Sequence, residues 1–219
     1  MGSSPPSTLT ALQAEVLRAF FERERGFFLT GGGALAGFHL GHRTTDDLDL
    51  FTTDEDAFER GRHVLADVAD AVGGQLVIRQ DTARFLRTVL TRGGEGLVID
   101  LVRDQHQLHT DKPEAGGIRF DPADEILANK LSALVGRAEE RDLVDVLFLE
   151  RAGYPVETAL PAALAKDGGC TPATLAWVLS EIVIPDGVAL PGGVAPDELR
   201  AYLAELVKRL RRAALPAPA

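Results

Sequence analysis

The sequence predicts an α+β chain, with strands and helices intermingled to about residue 120 and a helical bundle after it. Three observations carry that expectation. Short apolar or alternating runs bounded by glycine recur before residue 120. From Asp121 to Ala213 the apolar residues fall at helical spacing instead. The breaks in the second half, Gly153-Tyr154-Pro155, Asp167-Gly168-Gly169 and "IPDGVALPGGVAP", are loops between helices rather than turns between strands. The expected division is an α/β domain over 8–120 and a helical domain over 121–213. Residues 1–7 are expected to be disordered and 214–219 to form a flexible tail.

The elements follow in order. Leu12, Val16, Leu17 and Phe20 mark a helix from Thr8 to about Arg25, with Ser7 or Thr8 available as its cap. "FFLT" suits a short buried strand, the glycines at 31–33 break it, and "ALAGFHL" resumes as a short helix. "DDLDLF" alternates polar and apolar and reads as a strand. Residues 54–71 are helical up to Gly73-Gly74. "QLVIRQ", "RFLRTVL" and "GLVIDLV" are strands, the last two joined by the hairpin-like "TRGGEG". In "FDPADEILANKLSALVGR", Asp121 is placed to cap, Pro122 stands at the first helical position, and Asp124 and Glu125 occupy the first turn.

Composition narrows the setting. The 219 residues are 45% hydrophobic and 26% charged, an ordinary globular balance. A net charge of −10 argues against binding nucleic acid over the whole surface, because phosphate must be neutralised by Lys and Arg. The lone Cys170 excludes an internal disulfide and fits a reducing compartment. No apolar run nears the roughly twenty residues that span a bilayer. "MGSSPPSTLT" lacks the pattern of a signal peptide. A cytoplasmic protein without membrane contact is expected, and its oligomeric state stays open.

The chemistry concentrates in "FFLTGGGALAGFHLGHRTTDDLDLF". Glycines between a strand and a helix allow a close backbone approach, and the N–H groups at a helix start attract phosphate. The stretch is neither a dinucleotide fingerprint nor a P-loop. On a strand, Asp47 and Asp49 share a face roughly 7 Å apart, an arrangement of like charges that a cation between them would stabilise. Asp100 adds a third carboxylate in the apolar "GLVIDLV". Hard cations such as Mg²⁺ take carboxylate oxygens together with substrate phosphates.

Gly-Gly, a short helix, Asp-x-Asp and a later strand Asp resemble the signature of the DNA polymerase β-like nucleotidyltransferase superfamily. More narrowly, "GGGALAGFHLGHRTTDDLDLF" with "DEILANKLSALVGRAEERDLVDVLFL" resembles the AbiEii/AbiGii toxin family over about Phe27–Leu149. The resemblance implies a nucleotidyltransferase-fold mixed β-sheet flanked by helices. It implies Mg²⁺ or Mn²⁺ on Asp47, Asp49 and Asp100, and an NTP held by Gly31, Gly32, Arg43, Thr45 and Lys130. Asp100 would also accept the proton of the attacking hydroxyl. Gly33 departs from relatives that carry Thr or Ser there, which removes a hydroxyl but leaves the backbone donors.

In the second segment Lys130 lies on the apolar stripe of Leu127, Leu131 and Leu134. An inward lysine costs several kcal/mol unless it is paired or faces a cleft. Asp142 and Asp145 share a face of the next helix. Two readings stand: a buried ion pair between the helices, or Lys130 on the nucleotide phosphates with Asp142 orienting it or the substrate. The resemblance supports the second. The five histidines show no metal spacing and read as surface residues, Cys170 as inert, Trp177 as core, and Lys208–Arg212 as a basic helix end. The resemblance implies a toxin that transfers a nucleotide to RNA, with the tRNA 3′ end as acceptor and a cognate antitoxin as partner. The acidic charge would better suit an antibiotic-type enzyme acting on a cationic small molecule, though such enzymes commonly carry His at the place of Thr45. A regulatory protein that binds NTP without turnover is the third alternative.

Overall fold

A computed structural model of the chain describes residues 7–215. The disorder and flexible tail expected at the two ends lie outside these residues, except at Ser7, Ala214 and Leu215. The chain divides into two compact units, one ending at Pro122 and the other beginning at Ala123.

The first unit opens with α1 (Ala11–Arg23). Its cap is Thr10 rather than Ser7 or Thr8. The Thr10 hydroxyl accepts from the Gln13 N–H, and the Gln13 side chain accepts from the Thr10 N–H. Strand β1 (Phe28–Thr30) runs directly into α2 (Gly31–Ala34), so the glycines open the helix instead of separating it from the strand. A π-helical turn over Leu35–His39 follows. β2 (Asp47–Thr52), α3 (Glu55–Ala71, capped by Asp54), β3 (Gln75–Asp81), β4 (Phe85–Arg92) and β5 (Glu95–Arg103) complete the main elements. A small hairpin, β6 (Glu114–Ala115) with β7 (Ile118–Arg119), had no counterpart in the sequence reading. It turns at Gly116-Gly117, both at positive φ.

Among the described residues the main sheet has five strands in the order β1-β2-β5-β4-β3. β2 and β5 are parallel, and the other neighbouring pairs are antiparallel, so the sheet is mixed. Period-two alternation sorts its two faces. Leu48 and Leu50 of β2, Ile99 and Leu101 of β5, and Leu86 and Leu90 of β4 are buried on one side. Helix α3 covers that side, and Gly61 lies so close to Phe27 and Leu101 that a side chain there would collide with the Phe27 ring. Phe20 meets Phe21 and Phe27 edge-on at 5.7 and 5.3 Å, each contact worth about 0.5–1.5 kcal/mol beyond area burial. The opposite side carries Asp47, Asp49, Asp100 and Arg87.

The second unit is helical: α4 (Ala123–Arg137), α5 (Glu140–Arg151), α6 (Val156–Lys166), α7 (Pro172–Ser180) and α8 (Pro196–Ala213). Leu127, Leu131 and Leu134 are buried on α4, as their spacing predicts. Trp177, read as core, is instead 67% exposed. It sits outward on α7 while Leu175, Ala176 and Leu179 take the buried positions of that helix. Cys170 is buried, and desolvation pushes its thiol up to about 11, which leaves it unreactive.

Candidate active site

The site begins at the β1–α2 junction. Gly31 adopts φ +59°, a conformation glycine reaches without strain, and any Cβ there would run into the Asp49 carboxylate. At Gly32 a Cβ would crowd the Arg43 guanidinium and the Thr45 hydroxyl, each 2.9 Å away. The two glycines therefore give their space to three of the residues singled out in the sequence. The N–H groups of the first turn of α2 have no acceptor within the helix. Gly33 faces the core, against Leu29 and Leu48, so its missing hydroxyl leaves no gap on the open side.

Asp47 and Asp49 stand on the same side of β2, both partly exposed, while Leu48 and Leu50 are buried. The Thr45 hydroxyl donates to Asp47 Oδ1 at 2.6 Å. The Thr45 carbonyl accepts from buried Gln13 at 2.7 Å, which ties the start of β2 to α1. Thr45 is thus a positioning residue for Asp47.

Register assembles the rest. Asp49 pairs with Thr30 across β1 and with Asp100 across β5, and Asp100 pairs with Arg87 across β4. Thr30, Asp49, Asp100 and Arg87 form one row over four adjacent strands. Asp100 is 3% exposed, and Arg87 holds it at two points, Nε to Oδ1 at 2.9 Å and an Nη to Oδ2 at 2.6 Å. The hydrogen bond to Asp100 raises the Arg87 pKa, and the charges of Asp100, Asp49 and Asp47 add to it against a smaller desolvation effect. The Thr30 hydroxyl is buried and has no hydrogen-bond partner among the described residues.

Arg87 was absent from the sequence reading, although a signal for it existed. The two-residue turn Gly93-Gly94 joins Arg92 to Glu95. Counting five residues outward on each strand from that pair arrives at Arg87 and Asp100.

Asp47 and Asp49 offer carboxylate oxygens on one strand face, the donor chemistry a hard divalent cation takes, so this pair fits Mg²⁺ or Mn²⁺. Among the described residues no three His, Cys, Asp or Glu side chains converge into a metal-holding group, and Asp100 is engaged by Arg87.

In the helical unit Lys130 is 6% exposed, and its ammonium lies 2.7 Å from both Asp142 Oδ1 and Asp145 Oδ2. Arg137 bonds Asp142 through Nε at 2.7 Å and an Nη at 3.0 Å. Burial pulls the Lys130 pKa down, but the attraction of Asp145 and Asp142 outweighs it and holds the ammonium above its ordinary value. Burial likewise opposes the Asp142 charge, and Arg137 and Lys130 together keep that carboxyl below its ordinary value. Lys130 and Asp142 are therefore brought together, with Asp145 and Arg137 as further partners.

The family profile matching residues 15–217 is described as the nucleotidyl transferase AbiEii toxin of type IV toxin–antitoxin systems. The chain belongs to that family and is a nucleotidyltransferase. The crystal structure of JHP933 from Helicobacter pylori shares the fold at TM-score 0.62 and 21% identity, over 93% of this chain and 90% of that one. A second H. pylori protein, described as a candidate nucleotidyltransferase, aligns at TM-score 0.55 and 20% identity over 92% and 94%. No curated protein matches the chain in sequence. Among the described residues no helix is long and apolar enough to cross a membrane.

Proposed function

We propose that this member of the AbiEii nucleotidyltransferase family transfers a nucleotide from an NTP to a hydroxyl of RNA, at the tRNA 3′ end, in a reaction that depends on Mg²⁺ or Mn²⁺. The observation that carries the reading is the open face of β2 and β5, where Asp47, Asp49 and Asp100 stand beside a glycine turn shaped around Asp49. The acceptor oxygen bonds to the α-phosphorus, the bond from that phosphorus to the β-phosphate bridge breaks, and pyrophosphate leaves. A bound divalent cation would supply charge neutralisation for the phosphates; Asp47 and Asp49 would hold it, joined by Asp100 once the ion pair of that carboxylate opens. Asp100 takes the proton of the acceptor hydroxyl.

The remaining roles belong to positioning. Gly31 and Gly32 bring backbone N–H groups to the triphosphate. Arg43, beside Gly32, gives it a guanidinium, and Thr45 fixes the Asp47 carboxylate. In the helical unit Asp142 and Asp145 orient the Lys130 ammonium. As a toxin, the protein would have a cognate antitoxin as its partner.

A transfer assay tests this with each radiolabelled NTP, Mg²⁺ or Mn²⁺, and total bacterial tRNA. Label should reach tRNA with the wild type and fall on the order of 10³-fold in Asp49→Ala, the scale on which losing one preorganised electrostatic group acts. Undiminished transfer by that variant would sink the site assignment. NTP binding without labelled RNA would remove RNA as acceptor. It would favour a cationic small molecule, which the net charge of −10 suits, or a nucleotide-binding protein without turnover.

A further inference from the structure

We infer that Arg87 and a divalent cation compete for the Asp100 carboxylate, so that Arg87 sets how tightly the cation is held. The inference rests on the reading of Asp47, Asp49 and Asp100 as the cation's ligands, and it concerns a residue which that reading leaves without a role.

The geometry is specific. Arg87 faces Asp100 directly across the antiparallel β4–β5 pair, and Asp49 faces Asp100 from the other side across the parallel β2–β5 pair. The middle carboxylate of the row thus has a guanidinium on one flank and a metal-type carboxylate on the other. Both Asp100 oxygens are engaged by the Arg87 fork, the strongest form of carboxylate pairing. An oxygen that accepts from a guanidinium and one that donates to a cation draw on the same lone pairs. Two positive charges within one row also repel each other, so the fork and the cation oppose each other twice over.

Arg87 can let go without a large penalty. Its side chain is 48% exposed, against 5% for Asp100, so the guanidinium can be rehydrated while the carboxylate cannot. The Phe85 ring lies two residues back on the same strand face, with its centroid 5.5 Å from the guanidinium carbon, and holds the guanidinium from a side other than Asp100. The more deeply buried partner always needs a cation, and the exposed one is exchangeable. Arg87 is accordingly a positioning residue: it keeps Asp100 aligned, and it weakens cation binding by the strength of its own hold.

Mn²⁺ titration followed by electron paramagnetic resonance on the full chain, without nucleotide, tests the competition in wild type, Arg87→Gln, Arg87→Lys and Asp49→Ala. Arg87→Gln should bind Mn²⁺ roughly tenfold more tightly, the worth of one charge-assisted pair discounted for exposure. Arg87→Lys, which keeps the charge but loses the fork, should fall between the two. Arg87→Gln binding no more tightly than wild type, while Asp49→Ala loses binding, would overturn the competition and leave the metal site standing. Asp49→Ala binding Mn²⁺ as well as wild type would overturn both. Should circular dichroism show Arg87→Gln unfolded, Arg87→Lys decides: tighter binding supports the competition, and unchanged or weaker binding refutes it.

Discussion

Each unit of this protein gathers acidic and basic side chains into a cluster, and the two clusters are built differently. In the helical unit Lys130 and Arg137 face Asp142 and Asp145, and both carboxylates are fully buried. In the sheet unit Asp47 and Asp49 remain partly exposed beside Asp100, whose ion pair is to half-exposed Arg87. Two cations against two carboxylates make the first cluster electrically balanced within itself. The second is open and acid-rich on a sheet face that α3 leaves uncovered. A closed, balanced cluster acts mainly on stability, because its members cannot leave without stranding a buried charge. An open one has ligands to offer.

The comparison breaks most visibly at Lys130. Lys130→Met should cost about 3–5 kcal/mol in a denaturant titration, because it takes the ammonium from buried Asp145 and leaves Asp142 to Arg137. Asp49→Ala should move stability by less than about 1 kcal/mol in the same experiment while transfer falls on the order of 10³-fold. Equal stability losses in the two variants would erase the distinction drawn here.

A smaller effect belongs to Gly31→Ala. Holding alanine at φ +59° costs about 1–2 kcal/mol. The added methyl also displaces Asp49, so transfer should fall roughly a hundredfold, the scale of a 1 Å misplacement. Near-wild-type transfer would show that Asp49 need not sit where the glycine lets it sit.

The smallest effect is one of pH. The Asp142 pKa is depressed below its ordinary 3.8, so its stabilisation is present above that value and is lost as pH falls through the folded one. The melting-temperature gap between wild type and Asp142→Asn should hold steady from neutrality down to about 3.8, then close below it. A gap that closes above that value would mean the buried cluster does not hold its charge. Lys130, raised above 10.5, contributes below that value and fades only as pH rises past the folded one.

Much of the fold was legible in the sequence because its signals are local. Alternation in "DDLDLF" placed Asp47 and Asp49 on one face, and the stripe of Leu127, Leu131 and Leu134 placed Lys130 inward. The misses have physical causes. Thr10 won the cap of α1 because Gln13 stands three residues on to complete the reciprocal pair, a pattern already present in "TALQ". Trp177 looked like core by size and hydrophobicity, but the apolar face of α7 was already filled by smaller neighbours, and helix rotation left the ring outside. A buried pairing of Lys130 with the aspartates was one of the two readings the sequence allowed, whereas the part of Arg137 was in neither, because a helix-end arginine looks the same whether it meets water or a carboxylate.

By itself, then, the sequence determined which residues share a face, since periods of two and 3.6 are properties of the local backbone. It also determined the chemistry on offer: two aspartates, a glycine turn and an inward lysine. Only the tertiary structure decided which faces meet. The parallel β2–β5 register sets Asp49 beside Asp100, and the packing of α4 on α5 closes Asp142 and Asp145 around Lys130. Such pairings join residues far apart in the chain and depend on the burial of every strand and helix at once, so no local period encodes them.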